Sequence, residues 1–396
     1  MGSGARADRN DVRADDREIL LETEFRGVPP ESTGVLTVDL RALRQNYAKL
    51  RSLAPKAETA AVVKADAYGL GIGQIAVALA REGCRTFFVA TLGEARALRS
   101  VAPDSTIYVL DGLLPGSAPV FQVLGARPAL GSLAEIEEWA SFWHASGTTA
   151  PAAIHIDSGM TRLGLEPAAV SALVSNAELL AAVSPALSMS HLACADRPFD
   201  PKNHEQLERF EALSASLPQI ARSLSNSAGI FLGDDYHFDL TRPGIALYGG
   251  MAQSEGANPM APVVTLHGRI AQVRWAERGE TAGYGATHTL KRRTRLITVT
   301  IGYADGFFRA LSASDLRDGP PAYIEEFRLP LLGRVSMDLL TYDGTDVPEG
   351  LLARGGWVEI LGRRVTVDNL AAFAGMIGYE VLTSLGNRFH RIFLDE

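Results

Sequence analysis

The stretch "TAAVVKADAYGLG" (residues 59–71) carries a short apolar segment directly into a lysine, Lys64, and then into a turn with two glycines. A helix-period segment, "IGQIAVALAREG" (residues 72–83), follows at once. An apolar strand, a polar turn and an amphipathic helix together make one βα unit, and such units build parallel sheets. The stretch therefore predicts the start of a parallel α/β fold, with Lys64 at a strand end.

The same alternation of apolar runs and helix-period segments repeats along the chain up to about residue 245. Each apolar run precedes a polar turn, and helix-period segments such as "SLAEIEEWASFWHAS" (residues 132–146) lie between the runs. Eight such units in succession favour an α/β fold closed as a (β/α)8 TIM barrel over an open sheet. The eight runs are "TAAVVK" (59–64), "TFFVATL" (86–92), "TIYVLDG" (106–112), "ARPAL" (126–130), "AAIHIDS" (152–158), "ALSMSHL" (186–192), "ARSLSN" (221–226) and "FDLTRPG" (238–244).

The sequence pattern changes after about residue 250. Segments such as "VVTLHGRIAQVRWAERGE" (263–280) are rich in β-forming residues and are separated by glycine-containing turns. They predict a mostly β C-terminal domain after the barrel. The predicted boundaries are a flexible polar tail at 1–33, a barrel domain at 34–250 and the β-rich domain at 251–396. The first strand, "GVLTVDL" (34–40), is expected to join the β-rich domain.

Composition limits the possible partners. The 396 residues include 38 Lys and Arg against 46 Asp and Glu, a net charge of -8, which argues against a basic surface for nucleic acid. No apolar run is long enough to span a bilayer, and the charged N-terminal stretch lacks the apolar region of a secretory signal. Only two cysteines are present, Cys84 and Cys194, which suits a reducing cytoplasm.

Unusual polar residues fall where the predicted strands end. In a βα barrel, functional side chains gather at the C-terminal ends of the strands. A lysine, two arginines, a histidine and a polar turn would therefore share one mouth: Lys64, Arg162, His191, Asn226, Ser227 and Arg242.

This set has a chemical interpretation. A buried lysine among cations loses its proton more readily and becomes a nucleophilic amine. Turns such as "NSAG" (226–229) offer backbone N–H groups to a phosphate. Together they indicate a pyridoxal phosphate site.

Plainer interpretations exist for each residue alone. Lys64 could be a solvated surface lysine, the arginines could form salt bridges, and His155 could be a strand histidine. His191 and Cys194 have a spacing that metal ligands use, but no further ligands accompany them, so no metal is expected. The coincidence at successive strand ends favours the functional interpretation.

The chain resembles alanine racemases, which are fold-type III pyridoxal phosphate enzymes. The resemblance covers residue 34 to the end and rests on motifs in the family's order. They are "AVVKADAYGLG" (61–71), "DSGMTRLGL" (157–165), "MSHLACAD" (189–196), "NSAG" (226–229), "RPGIALYGG" (242–250), "AGYGATHT" (282–289), "IGYADGF" (301–307), "GRVSMD" (333–338) and "GYEVLTSLG" (378–386).

The resemblance implies roles in cofactor binding. Lys64 resembles the lysine that holds pyridoxal phosphate as a Schiff base, and Arg242 resembles the arginine that faces the pyridine nitrogen. An arginine does not give up its proton, so the nitrogen would stay unprotonated and transamination would be suppressed. His191 is similar to a histidine that packs beside the ring. The phosphate contacts implied are Tyr68, Ser227, Gly244 and Ile245.

The resemblance also implies roles towards the substrate. Tyr284 resembles a second catalytic base, which a partner subunit supplies in a homodimer with shared active sites. Two bases on opposite faces of Cα, Lys64 and Tyr284, would interconvert L- and D-alanine, with positive neighbours easing ionisation of the phenol. Substrate contacts are implied for Arg162, Met337, Tyr303 and Asp338.

Three positions depart from common family residues. Leu70 replaces a histidine, Asn387 replaces a tyrosine near the phosphate, and His155 replaces a lysine that is carbamylated in certain members. A histidine cannot supply the negative charge with which a carbamate would brace Arg162.

The expected role is a cytoplasmic supply of D-alanine for peptidoglycan. The alternatives are a racemase of broad specificity that also accepts serine, a pyridoxal phosphate carrier on a similar barrel, and a decarboxylase of the same two-domain plan. A carrier of that type lacks the β domain and the second base. The motif around Tyr284 therefore argues for racemisation.

Overall fold

A computed structural model describes Phe25 and residues 27–395. Most of the polar tail predicted at 1–33 lies outside the described residues. Strand β1 (Gly34–Asp39) precedes the barrel. The barrel strands are β2 (Glu58–Thr59), β3 (Ala61–Val62), β4 (Thr86–Val89), β5 (Thr106–Val109), β6 (Arg127–Leu130), β7 (Ala152–His155), β8 (Pro185–Met189), β9 (Ala221–Ser223) and β10 (Leu240–Thr241).

The barrel is a parallel sheet that closes on itself. Strands β3 to β9 form a seven-stranded sheet in chain order, and β10 pairs in parallel with β2. Backbone bonds from Glu58 N to Asp239 O and from Asp239 N to Arg222 O tie β10 to its neighbours on both sides. The predicted α/β barrel is therefore confirmed, and each of the eight apolar runs contains a barrel strand.

Helices cover the outside of the barrel. Several begin at side-chain caps: Thr91 accepts a hydrogen bond from Glu94 N, and Ser132 accepts one from Glu135 N. Their apolar faces pack on the sheet, where Phe88 and Trp139 are fully buried. The helices of this part are Leu40–Leu53, Ile72–Arg81, Leu92–Val101, Ala118–Leu124, Leu133–Ala145, Pro167–Ser175, Ala177–Val183, Pro201–Ser214 and Ser227–Ile230.

The C-terminal part is rich in strands, as predicted. The strands are β11 (Val264–Ala276), β12 (Thr281–Ala282), β13 (His288–Thr289), β14 (Thr294–Val299), β15 (Ala322–Ile324), β16 (Phe327–Leu329), β17 (Leu340–Asp343), β18 (Trp357–Leu361) and β19 (His390–Leu394). The main sheet has the order β16-β15-β18-β11-β1-β19, and β14 and β17 extend from β11.

Strand β1 lies in this second sheet. It pairs antiparallel with β11, with Val35 opposite His267, and parallel with β19, with Val35 opposite His390. Two short helices, Val367–Ala374 and Gly378–Thr383, were not expected from the sequence. The exact boundary near residue 250 stays a prediction. Within the described part of the chain, every helix is too short or too polar to cross a bilayer.

Candidate active site

Lys64 lies at the mouth of the barrel, at the end of the first strand. The residues that follow it form a turn with left-handed backbone: φ is 53° at Ala65, 54° at Asp66, 53° at Ala67 and 56° at Tyr68. Only glycine adopts this conformation without cost. Lys64 is exposed on this chain, not buried as the sequence-based interpretation assumed, whereas Tyr68 is buried.

Several contacts hold this turn. The carboxylate of Glu94 accepts from Ala65 N at 2.7 Å, and that of Asp66 accepts from Ile72 N at 2.8 Å. Arg391, in β19, donates to Gly69 O at 2.7 Å. A side chain at Gly69 would collide with the backbone, since a Cβ would lie 2.6 Å from Leu382 O. The turn is therefore fixed from both parts of the chain.

Tyr68 packs beside the turn that begins at Gly244. Its ring lies 4.6 Å from that of Tyr248, and burial raises the pKa of its phenol, which stays neutral. A Cβ on Gly244 would lie 2.2 Å from Tyr68 Oη, so only glycine fits there. Ser227 Oγ accepts from Gly244 N at 2.8 Å and from Ala246 N at 3.3 Å. The predicted phosphate residues, including buried Ile245, are thus brought together.

Arg242 is a buried cation near the same turn. Its guanidinium donates to Ser223 Oγ, to Ser190 O and, at 3.4 Å, to Leu224 O. The face of the Phe88 ring lies 5.8 Å from the guanidinium carbon. Burial lowers the pKa of Arg242 to about 9, which still leaves the group charged at neutral pH. These contacts fix the orientation of the guanidinium. None of the groups that accept its hydrogen bonds is a carboxylate, so they do not neutralise its charge.

Two histidines share the mouth with cationic neighbours. Burial, then the charges of Arg242 and Arg162, lower the pKa of His155 to about 4. Desolvation lowers the pKa of His191 well below its usual range, with further contributions from Arg242, Arg162 and Lys64. Both imidazoles are therefore neutral at pH 7. The predicted barrel residues Lys64, Arg162, His191 and Arg242 do meet at one place.

The loop that carries Arg162 is shaped by one carboxylate. Asp157 Oδ1 accepts from Gly159 N at 2.8 Å and from Met160 N and Thr161 N, both at 3.0 Å. Partial burial raises the pKa of Asp157, but these three bonds together outweigh it and lower the pKa, so the carboxylate stays ionised. A Cβ on Gly164 would lie 2.6 Å from Asp157 N. The loop can therefore close on the strand only because residue 164 is glycine.

The other predicted residues lie on the β-rich part. Tyr284 is 71 % exposed, Met337 53 % and Tyr303 42 %. The loops of the last two are joined, because Ala304 N donates to Met337 O at 3.0 Å. Asp338 Oδ1 accepts from Arg388 at 2.8 Å. All four side chains are exposed on this chain, and their role towards the substrate stays a prediction.

The positions that depart from the family pattern have identifiable surroundings. Leu70 is fully buried, and Asn387 is exposed.

The ring of Tyr379 lies 5.9 Å from that of Tyr68. A cavity of about 520 Å³ lies here, between the barrel and the two short helices; its lining includes His191, Asn226, Asp368 and Tyr379.

Sequence reasoning missed the residues that support the site. Glu94 and Asp157 hold the loops of Lys64 and Arg162, and Ser223 holds Arg242. One signal was available: "TLGE" (residues 91–94) has the spacing of a capping box, which predicts a carboxylate near backbone N–H groups at a strand end. Nothing in the sequence pairs Ser223 with Arg242.

The barrel, the lysine at its mouth and the added β-rich part fit the class of two-domain barrel enzymes that hold a carbonyl cofactor on a lysine. The family model described as "Alanine racemase, N-terminal domain" matches residues 38–252, and "Alanine racemase, C-terminal domain" matches residues 263–393. The chain belongs to the alanine racemase family.

Named relatives agree with this assignment. A "catabolic" alanine racemase of Mesorhizobium japonicum is 47 % identical over 90 % of this chain and 92 % of its own length. A "biosynthetic" one of Agrobacterium fabrum is 46 % identical over 91 % and 93 %. The solved alanine racemase of Bartonella henselae, with covalently bound pyridoxal phosphate, is 37 % identical and superposes with a TM-score of 0.86 over 92 % of this chain and 100 % of its own.

Proposed function

We propose that this protein interconverts L- and D-alanine with pyridoxal phosphate as cofactor. The observation that carries the proposal is that Lys64, buried Arg242 and the Ser227–Gly244 turn lie at one barrel mouth; the name Ser227–Gly244 turn denotes the two loops that are joined where Ser227 Oγ accepts from Gly244 N. Family membership supports the same reaction. The Bartonella henselae relative holds the cofactor covalently, so an amine must be available for it, and Lys64 is the amine at this mouth.

The residues present fit this cofactor. Because Gly244 lacks a side chain, Tyr68 Oη can approach the turn at which a phosphate would be held. Arg242 is a fixed cation that can face a neutral ring nitrogen without giving up its proton. When bound, the cofactor withdraws electrons from the bonds at Cα of the amino acid and makes the Cα proton acidic.

The chain's own residues then have two tasks. Lys64 holds the cofactor at rest and, once released, carries a proton on one face of Cα. The phenol of Tyr284 carries the proton on the other face. Arg162 holds the substrate carboxylate with the help of a backbone group at Met337, and Tyr303 and Asp338 shape the entrance.

We further propose a homodimer in which each site takes Tyr284 from the partner subunit. Tyr284, Met337 and Tyr303 are exposed on this chain, although the proposed reaction needs them near Lys64. A second copy that covers this surface would bury these side chains and complete the site. The expected location is the cytoplasm.

Racemisation of serine and larger amino acids is the alternative within the family, and pocket size decides between the two. The relatives carry both "catabolic" and "biosynthetic" names, so the supply of D-alanine for peptidoglycan is one of two physiological roles to test.

Purified protein loaded with pyridoxal phosphate tests the proposal. Turnover of D- and L-forms of alanine, serine and leucine should be fastest for alanine. Borohydride reduction followed by peptide mapping should place the pyridoxyl group on Lys64. Absence of racemisation, or a label on another lysine, would contradict the proposal.

A further inference from the structure

The first backbone N–H of the left-handed turn finds its acceptor elsewhere in the fold. Val63, the residue that caps this turn, makes no side-chain hydrogen bond to it. Ala65 is exposed, so water could also serve its N–H, and an acceptor within the fold is therefore a specific contact. Glu94 Oε1 supplies the acceptor at 2.7 Å from Ala65 N, although Glu94 belongs to the next βα unit.

The second oxygen of Glu94 binds its own unit. Glu94 Oε2 accepts from Ala90 N at 2.7 Å and from Thr91 N at 3.3 Å. One carboxylate therefore ties the residue after Lys64 to the end of β4. Both oxygens accept, and the amide of a glutamine, which has one acceptor oxygen and a donor NH₂ group, cannot serve both sides.

Glu135 forms the same kind of brace elsewhere on the barrel. Its Oε1 accepts from Leu113 N at 2.9 Å, and its Oε2 accepts from Gly131 N at 2.8 Å. It too begins a helix after a capping residue, Ser132. The brace is thus a repeated element of this barrel, but only in the case of Glu94 does its far end lie next to Lys64.

We propose that Glu94 is a positioning residue for Lys64, which it fixes by binding the backbone of the following residue. This inference rests on the proposed function, because it takes Lys64 to be the cofactor lysine. The four left-handed residues store an unfavourable conformation directly after the lysine. When the brace is lost, the turn relaxes and the amine leaves the position from which it attacks the cofactor aldehyde.

The attack is a balanced condensation. The neutral Lys64 amine forms a double bond to the aldehyde carbon and loses both of its protons, the carbonyl oxygen leaves with them as water, and no redox partner is needed. Its rate can be measured on cofactor-free, full-length protein mixed with pyridoxal phosphate. Borohydride quenching at intervals, with peptide mapping, reports the pyridoxyl group on Lys64 against cofactor concentration.

Glu94→Gln and Glu135→Gln form the matched pair. For Glu94→Gln we expect the limiting capture rate to fall about tenfold, the effect of losing one hydrogen bond to a charged group. The cofactor concentration at half-saturation should stay close to wild type, because the Ser227–Gly244 turn sets it. Glu135→Gln should lose comparable thermal stability and capture the cofactor at the wild-type rate.

The outcomes separate this inference from the function. If Glu94→Gln captures the cofactor at the wild-type rate, or if both variants slow capture equally, the inference is wrong and the proposed function is unaffected. If the pyridoxyl group never appears on Lys64 of the wild-type protein, the proposed function itself is wrong. If Glu94→Gln does not fold, Glu94→Asp replaces it, since the shorter side chain keeps the charge at its helix but not the reach to Ala65; wild-type capture by Glu94→Asp would overturn the inference.

Discussion

Arg242 holds a buried positive charge whose hydrogen-bond partners are neutral oxygens. Ser223, Ser190 and Leu224 fix its plane, and none of them cancels its charge. Burial of an uncompensated cation is costly, so such a group is kept where its charge has a use. A neutral ring nitrogen opposite this guanidinium would accept a hydrogen bond from it.

We expect Arg242→Lys to slow racemisation by about ten- to a hundredfold, the range for loss of hydrogen bonds from a charged group. A lysine cannot reproduce the planar contacts, and when buried it can give its proton to the ring. The ratio of pyruvate formed to alanine racemised should therefore rise. Arg295→Lys is the control: Arg295 is also buried and donates to Gly344 O, but in the β-rich part. An unchanged ratio in Arg242→Lys would contradict this role.

His155 makes the stability of the barrel depend on pH. Folding lowers its pKa to about 4, whereas in the unfolded chain it titrates near 6.5. The unfolded chain therefore binds more protons in this interval, and stability that is present above 6.5 is lost as the pH falls towards 4. For one buried histidine this loss is about 2 kcal/mol between about pH 7 and pH 5.

Urea unfolding at these two pH values tests this. In His155→Gln the fall in the free energy of unfolding should be about 2 kcal/mol smaller than in wild type. Some fall should remain, because the pKa values of His191 and His267 are lowered as well. His204 is exposed at the surface, so His204→Gln should keep the wild-type dependence. Equal pH dependence in wild type and His155→Gln would rule out a neutral buried His155.

Among the elements of the barrel, the left-handed turn is the least expected. We expect Ala65→Gly to raise the free energy of unfolding by about 0.5–1 kcal/mol, because relief of the positive φ outweighs the added entropy of the unfolded chain. Ala97→Gly is the control: Ala97 is equally exposed but lies in the helix Leu92–Val101, where glycine costs about 1 kcal/mol. Denaturant unfolding midpoints of the two variants test this prediction. A lower free energy of unfolding in both variants would mean that the turn is not strained.

This turn marks what sequence patterns can and cannot predict. Apolar runs and helix periods predicted the barrel strands, because each run depends on its own residues. The residues of "ADAY" (65–68) carry no signal for positive φ, and their conformation depends on Glu94 and Arg391, which are distant in sequence. The short helices after residue 366 were missed because each is too brief to show a period.

The predicted site residues lie on two parts of the chain, the barrel and the β-rich part. The chemistry of each set could be predicted from its residue types and from the family resemblance. The residue types alone do not say which chain supplies which set, since a sequence contains no contact between copies; only the resemblance predicts that a partner subunit supplies Tyr284. The exposure of Tyr284 on this chain raises the question and makes it testable.

Mixed dimers answer it directly. Lys64→Ala and Tyr284→Phe should each be inactive alone. If a site combines Lys64 of one subunit with Tyr284 of the partner subunit, a heterodimer of the two variants contains one intact site and one doubly defective site. Random mixing makes about half of the dimers heterodimers, so activity should recover to about a quarter of wild type.

The control pair is Lys64→Ala with Arg242→Ala, two changes in the same barrel mouth. No exchange of subunits can then assemble an intact site, so this mixture should stay inactive. Co-expression with two affinity tags allows the heterodimers to be purified and counted before assay. Recovery in neither mixture, with heterodimers present, would mean that each site is built from one chain; Tyr284 would then have to reach Lys64 by a rearrangement within its own subunit.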